Sequence, residues 1–184
     1  MSELFNQLSK MNTSELISKS EIVNGIKKYV DASGYTIIEL RDQKPWGAYL
    51  RFDNKDANRF IKEFFPGFSM DDISLGGIAS EFSPKILIVS PGKRLSWQWH
   101  SRRAEIWAFL HGGYYAKSLT DEEVELQSAN DGDVVRMAAF ERHRLVGDEH
   151  KYTLVAEIWS HTDANNISDE DDIVRIQDDY SRQA

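Results

Sequence analysis

The chain has 184 residues, with 22 Lys+Arg against 30 Asp+Glu, 5 His and no Cys, and a formal net charge of -8. That length suits one compact domain, and 41% hydrophobic with 11% aromatic residues can fill a core, which excludes a disordered or low-complexity chain. The lack of Cys removes disulfides, thiolate metal sites and cysteine nucleophiles, and the acidic balance argues against nucleic acid as a partner, because phosphate backbones demand a basic face. The opening stretch MSELFNQLSKMNTSE carries charges and amides where a secretory leader needs an apolar core. No run approaches the roughly 20 apolar residues of a membrane span. The expectation is a cytoplasmic protein that does not engage a membrane.

Residues 1–41 read as a helical extension. Ser20-Glu21 marks a helix start, Ile22, Val23, Ile26 and Val30 recur at helical spacing, and Gly34 marks a stop, which suits a packing or dimerisation element. The rest, 42–184, reads as one domain, and a homodimer is the expected assembly. Strand-like runs Tyr35–Leu40 and Ala48–Phe52 flank a turn, Lys44-Pro45-Trp46-Gly47. A helical insertion at about 53–83 begins with Asp53–Phe65, whose Phe60, Ile61, Phe64 and Phe65 share a side before Pro66-Gly67, and continues as mixed loop with Gly76-Gly77. From Lys85 the texture changes to short strands separated by Gly, Asp, Asn and Pro turns: Lys85–Ser90, Arg94–His100, Ile106–His111, Gly113–Leu119, Glu123–Gln127, Asp133–Met137, His143–Val146 and Thr153–Trp159. Such a series predicts an all-β, double-sheet antiparallel barrel. The acidic end, 169–182, is expected to be a short helix or an ordered tail.

Gln98 and His100 stand two apart on a predicted strand, so both project from one face while Trp97 and Trp99 face the other way. Glu105 opens the next strand and His143 lies on a later one. In an antiparallel barrel these four side chains converge, and an amide oxygen, two imidazoles and a carboxylate suit one divalent ion, Zn²⁺ first, with Fe, Mn, Ni or Co as alternatives. Lys93, Arg94, Arg102, Arg103, Arg136, Arg142 and Arg144 lie near them in sequence, with no Asp or Glu between Lys93 and Arg103. A local basic cluster in an acidic chain is the arrangement expected for an anionic small molecule such as a sugar phosphate. His111, His150 and His161 are expected to be ordinary core or surface histidines, and Trp97, Trp99, Trp107 and Trp159 to be sheet packing or an interface between barrels.

The spacing Gly92-x5-Gln98-x-His100-x4-Glu105-x6-Gly112, then Gly132-x10-His143, resembles the two signature motifs of the cupin superfamily, with Gln where the first His usually stands. In the second motif Ala138 and Phe140 occupy the usual Pro and Gly. The segment Pro91–Trp107, together with Lys44-Pro-Trp-Gly47, His143-Arg144 and Glu170–Arg182, is similar to the type II phosphomannose isomerase domain, over roughly 42–52 and 84–182. This resemblance implies a cupin double-stranded β-helix, or jelly-roll barrel, and a metal-dependent aldose–ketose isomerase interconverting mannose 6-phosphate and fructose 6-phosphate. It makes Gln98, His100, Glu105 and His143 the metal ligands and Arg103 the catalytic arginine. Glu157 matches a family Glu and ranks first as proton shuttle; Lys85 matches a family lysine and ranks as the group contacting substrate at the reacting end. Lys44, Lys93, Arg94 and Arg144 are the expected substrate-binding residues, and Arg175, Tyr180 or Arg182 could fold back over the barrel mouth. The alternatives are an isomerase of another sugar phosphate, or a cupin that binds metal and sugar without turnover; a non-haem iron dioxygenase would not require the basic cluster.

Overall fold

A computed structural model describes residues 3–74 and 81–182. Two N-terminal helices, α1 (Glu3–Ser9) and α2 (Lys19–Ala32), precede strands β1 (Ile37–Lys44) and β2 (Gly47–Phe52). A 3₁₀ turn (Asn54–Asp56), α3 (Ala57–Phe64) and α4 (Met70–Ile73) follow. The barrel strands are β3 (Lys85–Val89), β4 (Trp97–Trp99), β5 (Arg103–His111), β6 (Gly113–Ser118), β7 (Gln127–Ala129), β8 (Val134–Met137), β9 (Arg142–Val146), β10 (Thr153–His161) and β11 (Val174–Gln177). The Gly76-Gly77 part of the expected loop lies outside the described residues.

All strand pairings are antiparallel, in a six-stranded sheet of order β1-β2-β3-β10-β5-β8 and a five-stranded sheet of order β11-β4-β9-β6-β7. This is the expected double-stranded β-helix. Alternation along each strand divides the six-stranded sheet's apolar residues between two cores. Leu87, Val89, Trp107, Phe109, Val135, Met137 and Val155 face the barrel interior and meet Leu145 of the other sheet. Ile86, Ile88, Ile106, Ala108, Leu110, Leu154, Ala156 and Ile158 face outward and are covered by Leu4, Leu8, Ile22, Ile26, Val30, Phe60, Ile61 and Phe64 from the helices.

The N-terminal helices are therefore packing elements of the barrel's own sheet. Helix α2 begins two residues before the expected point, because Ser18, not Ser20, caps it: Ser18 Oγ accepts from the Glu21 amide while the Glu21 carboxylate accepts from the Ser18 amide. The chain before it is tied to the sheet where the Tyr152 amide donates to Thr13 O at 2.7 Å and His111 pairs with Leu8 O at 2.8 Å. Phe5 N and Tyr35 Oη both donate to the buried Glu63 carboxylate, joining α1 and the start of β1 to α3.

Several boundaries differ from expectation. The division between residues 41 and 42 falls inside β1, which pairs with β2 from Ile37 to Lys44. Gly47 closes that hairpin against β3 with φ 152°, and a Cβ there would meet Ile88 O at 1.9 Å, so only glycine fits. The strand expected at 123–127 forms at Gln127–Ala129 instead, since Glu123 is drawn to Arg144. Residues 174–177 are a strand rather than a helix, because β4 offers them an open edge. Phe140 adopts φ 64°, the left-handed conformation that a glycine takes without strain, and lies against Trp99. Among the described residues no helix is long and apolar enough to cross a membrane.

Because helices and barrel share the outer core, Ile26→Ala should lower stability by about 2–5 kcal/mol and move a single cooperative urea transition. Separate loss of helical signal, with the barrel transition unmoved, would contradict a shared core.

Candidate metal centre

Sheet register assembles the centre. β4 and β9 place Gln98 directly opposite His143, and β10 places Trp159 opposite Glu105 and Glu157 opposite both Trp107 and Lys85. The side chains that share these rows face the barrel interior. One nitrogen each from His100 and His143 and one oxygen from Glu105 lie within 4.8 Å of one another, and all three residues are buried. His100 Nε2 is 3.1 Å from Glu105 Oε1, and His143 Nε2 is 3.4 Å from Glu105 Oε2.

Both imidazoles are held by their other nitrogen. His100 Nδ1 lies 2.5 Å from Asp172 O and His143 Nδ1 lies 2.9 Å from Glu141 O. A carbonyl only accepts, so each Nδ1 carries a proton and each Nε2 faces Glu105. His143 Nε2 is buried and makes no hydrogen bond. Burial holds His100 below the ordinary imidazole value, which keeps it neutral near pH 7. Burial would push Glu105 up, but the neighbouring His100 and the Arg103 guanidinium outweigh it and hold that carboxyl well below the usual carboxylate range. Two imidazoles whose Nε2 atoms face the same buried, ionised carboxylate fit a divalent ion.

Arg103 is buried and fully engaged. Its Nε donates to Glu105 at 3.0 Å, Nη1 to Ser168 Oγ and the carbonyls of Asp169 and Asp172, and Nη2 lies 3.4 Å from His100 Nε2, while the guanidinium stacks 3.9 Å from the Trp159 ring. The Asp172 carboxylate in turn accepts from the Ser101 and Arg102 amides, Ser101 Oγ and Ser168 Oγ. The segment 168–172 thus clamps the loop between β4 and β5 and supplies the carbonyl that orients His100.

Beside this centre, Gln98, Glu105, Arg103, Lys85, Glu157 and Lys44 line one cavity of about 150 Å³. A roomier depression of about 450 Å³, walled by Gly112, Tyr114, Asn130 and Lys151, contains none of them. Gln98 reaches the cavity with its amide oxygen accepting from Ser96 Oγ at 2.6 Å. Lys85 Nζ is 3.5 Å from Glu157 Oε1 and 3.0 Å from Glu170 Oε1, and lies 4.3 Å over the Trp159 ring. Glu157 Oε2 accepts from Trp107 Nε1 at 3.0 Å. Burial, aided by the charge of Glu105 and only partly opposed by Lys85 and Arg103, pushes Glu157 up to about 7.

Three expected substrate-binding residues are elsewhere. Lys93 is exposed on the turn after β3, Arg94 pairs with Asp179 at 2.6 Å, and Arg144 is buried on the outer face of its sheet with both Glu123 oxygens at 2.7 Å. Arg144 follows the inward His143, and period-2 alternation turns it outward. Arg102 and Arg142 are likewise paired, with Asp169 and Asp121. The cavity's further cations come from the C-terminal segment, Arg175 and Arg182, the two arginines expected to fold back. Sequence reasoning missed the roles of Trp107, whose ring meets His143 edge-on at 5.5 Å, and Trp159. Their signal was their place two residues from Glu105 and Glu157 on the same strands.

Residues 55–178 match the family described as mannose-6-phosphate isomerase C-terminal. The chain belongs to this family. The match takes in residues 55–83, which the resemblance noted above had left out. Alginate biosynthesis protein AlgA of Pseudomonas putida is 30% identical over 173 residues, covering 91% of this chain and 29% of that protein. A mannose-1-phosphate guanylyltransferase of Escherichia coli is 28% identical over 144 residues, covering 78% and 28%. The chain thus spans less than a third of the length of these relatives. The capsular polysaccharide assembling protein CapF of Staphylococcus aureus shares the fold, with a TM-score of 0.51 and 12% identity over 74% of this chain and 34% of that one.

Asp172→Ala should weaken zinc binding about 10–100-fold in competition with a chromophoric chelator, with folding retained; unchanged affinity would remove the clamp from the centre. Glu157 offers a second check in the metal-free protein. Its raised pKa contributes stability that is present below the unfolded value and is lost as pH rises through about 7. Between pH 4 and pH 8, Glu157→Gln should therefore gain up to about 3 kcal/mol relative to the unsubstituted protein in urea denaturation, and a pH-independent difference would contradict this.

Proposed function

We propose that this chain is a metal-dependent aldose–ketose isomerase that interconverts mannose 6-phosphate and fructose 6-phosphate. The observation that carries the proposal is Glu157, a buried carboxyl near neutrality, set beside Lys85 on the cavity that reaches Gln98 and Glu105. Isomerisation moves a proton between two adjacent carbons and needs one group able both to take it and to return it. A carboxyl whose two protonation states are close in energy near pH 7 suits that task better than an ordinary surface Glu. Trp107 holds one oxygen of Glu157 by its indole N–H, leaving the other toward Lys85.

His100, Glu105 and His143, with Gln98 as a fourth ligand, would hold the divalent ion, Zn²⁺ first. That ion supplies Lewis-acid polarisation of the sugar carbonyl when bound. Lys85 is placed to steady negative charge developing on a sugar oxygen, and Glu157 carries the proton between the two carbons. Arg103 acts through its neighbours, because its three nitrogens are engaged with Glu105, His100 and the 168–172 segment. Family membership supports the substrate class.

The test is proton NMR of fructose 6-phosphate in D₂O with metal-loaded and chelated protein. Mannose 6-phosphate should form only with metal, and Glu157→Gln should lower kcat by about 10²–10⁴-fold while keeping the metal. No conversion of either sugar by metal-loaded protein would leave a binding cupin in place of an isomerase.

A further inference from the structure

One long sheet edge stays open in the folded chain. Among the described residues β1 has a strand neighbour on the β2 side only. It is 8 residues long, against 3 for β7 and 4 each for β8 and β11, which form the other sheet edges. An open edge presents a row of N–H and C=O groups that another strand can pair with. Ile38, Leu40, Arg41, Asp42 and Gln43 are exposed, and residues 40–44 line a groove of about 300 Å³. By contrast, the apolar faces of the N-terminal helices and Trp97, Trp107 and Trp159, which the sequence offered as packing or interface elements, are buried within the chain.

The residues along this edge suit a second copy of themselves. The ladder between β1 and β2 is regular over Glu39–Arg41, with Glu39 opposite Arg51, Leu40 opposite Leu50 and Arg41 opposite Tyr49, and it is irregular on either side. Residues opposite one another in an antiparallel ladder point to the same face, so two copies joined by a two-fold axis set one residue opposite itself. With the axis at Leu40, the middle of the regular run, each Glu39 stands opposite the partner's Arg41 and the two leucines meet. With the axis at Glu39, Arg41 or Asp42, equal charges stand opposite one another, which is destabilising. Leu40 lies opposite Leu50 of the outer core and is 37% exposed, so the partner's Leu40 would extend that apolar row across the edge. Glu39 and Arg41 already pair at 2.8 Å within the chain, and the Arg41 side chain is 60% exposed, free to reach a second carboxylate.

We propose that the chain forms a homodimer by antiparallel pairing of β1 with β1 of a second copy, in the register that sets Leu40 opposite Leu40 and Glu39 opposite Arg41. The pairing joins the two six-stranded sheets into one continuous sheet and covers both open edges at once. It also braces a wall of the cavity, because Tyr49, which lines that cavity, donates its hydroxyl to Glu39 at 3.0 Å. Such an assembly is independent of the isomerase chemistry.

Sedimentation equilibrium of the whole chain tests this, with Arg41→Glu compared with the unsubstituted protein and with Lys27→Glu on the exposed side of α2. Thermal unfolding of each variant checks the fold. The unsubstituted chain should be a dimer at about 100 µM. Arg41→Glu, which sets Glu opposite Glu twice, should raise the dissociation constant about 10–100-fold, while Lys27→Glu leaves it unchanged. The chain contains no cysteine, so Leu40→Cys introduces a single thiol that reads the register itself. Opposite residues on paired antiparallel strands have Cα atoms about 4.5–5.5 Å apart, within reach of a disulfide. Leu40→Cys should therefore cross-link to a dimer under mild oxidation, and Lys27→Cys should not. A monomeric unsubstituted chain would overturn the proposal. So would a dimer whose dissociation constant Arg41→Glu leaves unchanged, or one in which Leu40→Cys cross-links no more than Lys27→Cys; either result puts the interface on another surface.

Discussion

A single buried carboxylate sets the terms for this molecule. Glu105 sits inside a β-barrel, where an uncompensated charge is costly, and it is held by the Arg103 guanidinium, with the His100 and His143 imidazoles beside it. The centre draws at once on β5, β9, the loop after β4 and the C-terminal segment. Arg103 is itself buried and takes its remaining acceptors from Ser168, Asp169 and Asp172. The same Asp172 carbonyl orients His100. Removing any of these partners exposes a neighbour to the same desolvation cost, so the network forms as a unit.

The barrel tolerates such a polar interior because its apolar demands are met on separate surfaces. Within the barrel, the polar centre shares space with a second apolar cluster built around Trp107, Phe109 and Leu145. The outer face of the six-stranded sheet is largely apolar and packs against the chain's own helices. The N-terminal extension thereby fixes the sheet that carries Glu105, Glu157 and Lys85. The two tryptophans on the inward rows join apolar and polar parts, one by donating to Glu157 and the other by lying beneath Lys85 and Arg103.

Much of the centre was legible in the residues themselves. Gln98 and His100 two apart, Glu105 at the start of the next strand and His143 on a later one fix their common face once the strands are recognised. The helical periodicity of Ile22, Val23, Ile26 and Val30 likewise declared a buried face. The basic cluster was misleading because proximity in sequence ignores alternation: Arg144 beside an inward histidine must turn outward, and Arg94 found Asp179, a partner 85 residues away. The acidic run at 169–172 carries no local sign of burial, yet Asp172 is buried by four hydrogen-bond donors from the loop after β4 and from Ser168. Partners so distant in sequence leave no local pattern, and the strand character of 174–177 depends on the open edge of β4.

The central claim is that His100 and His143 present Nε2 lone pairs to one metal ion beside Glu105, with each Nδ1 proton fixed by a backbone carbonyl. Long-range proton–nitrogen NMR of the two imidazoles, before and after one equivalent of Zn²⁺, tests it most directly. The account predicts Nδ1-protonated rings in the metal-free protein and a shift of both Nε2 resonances at a stoichiometry of one ion per chain. Nε2-protonated rings, or Nε2 resonances that do not respond to zinc, would contradict it.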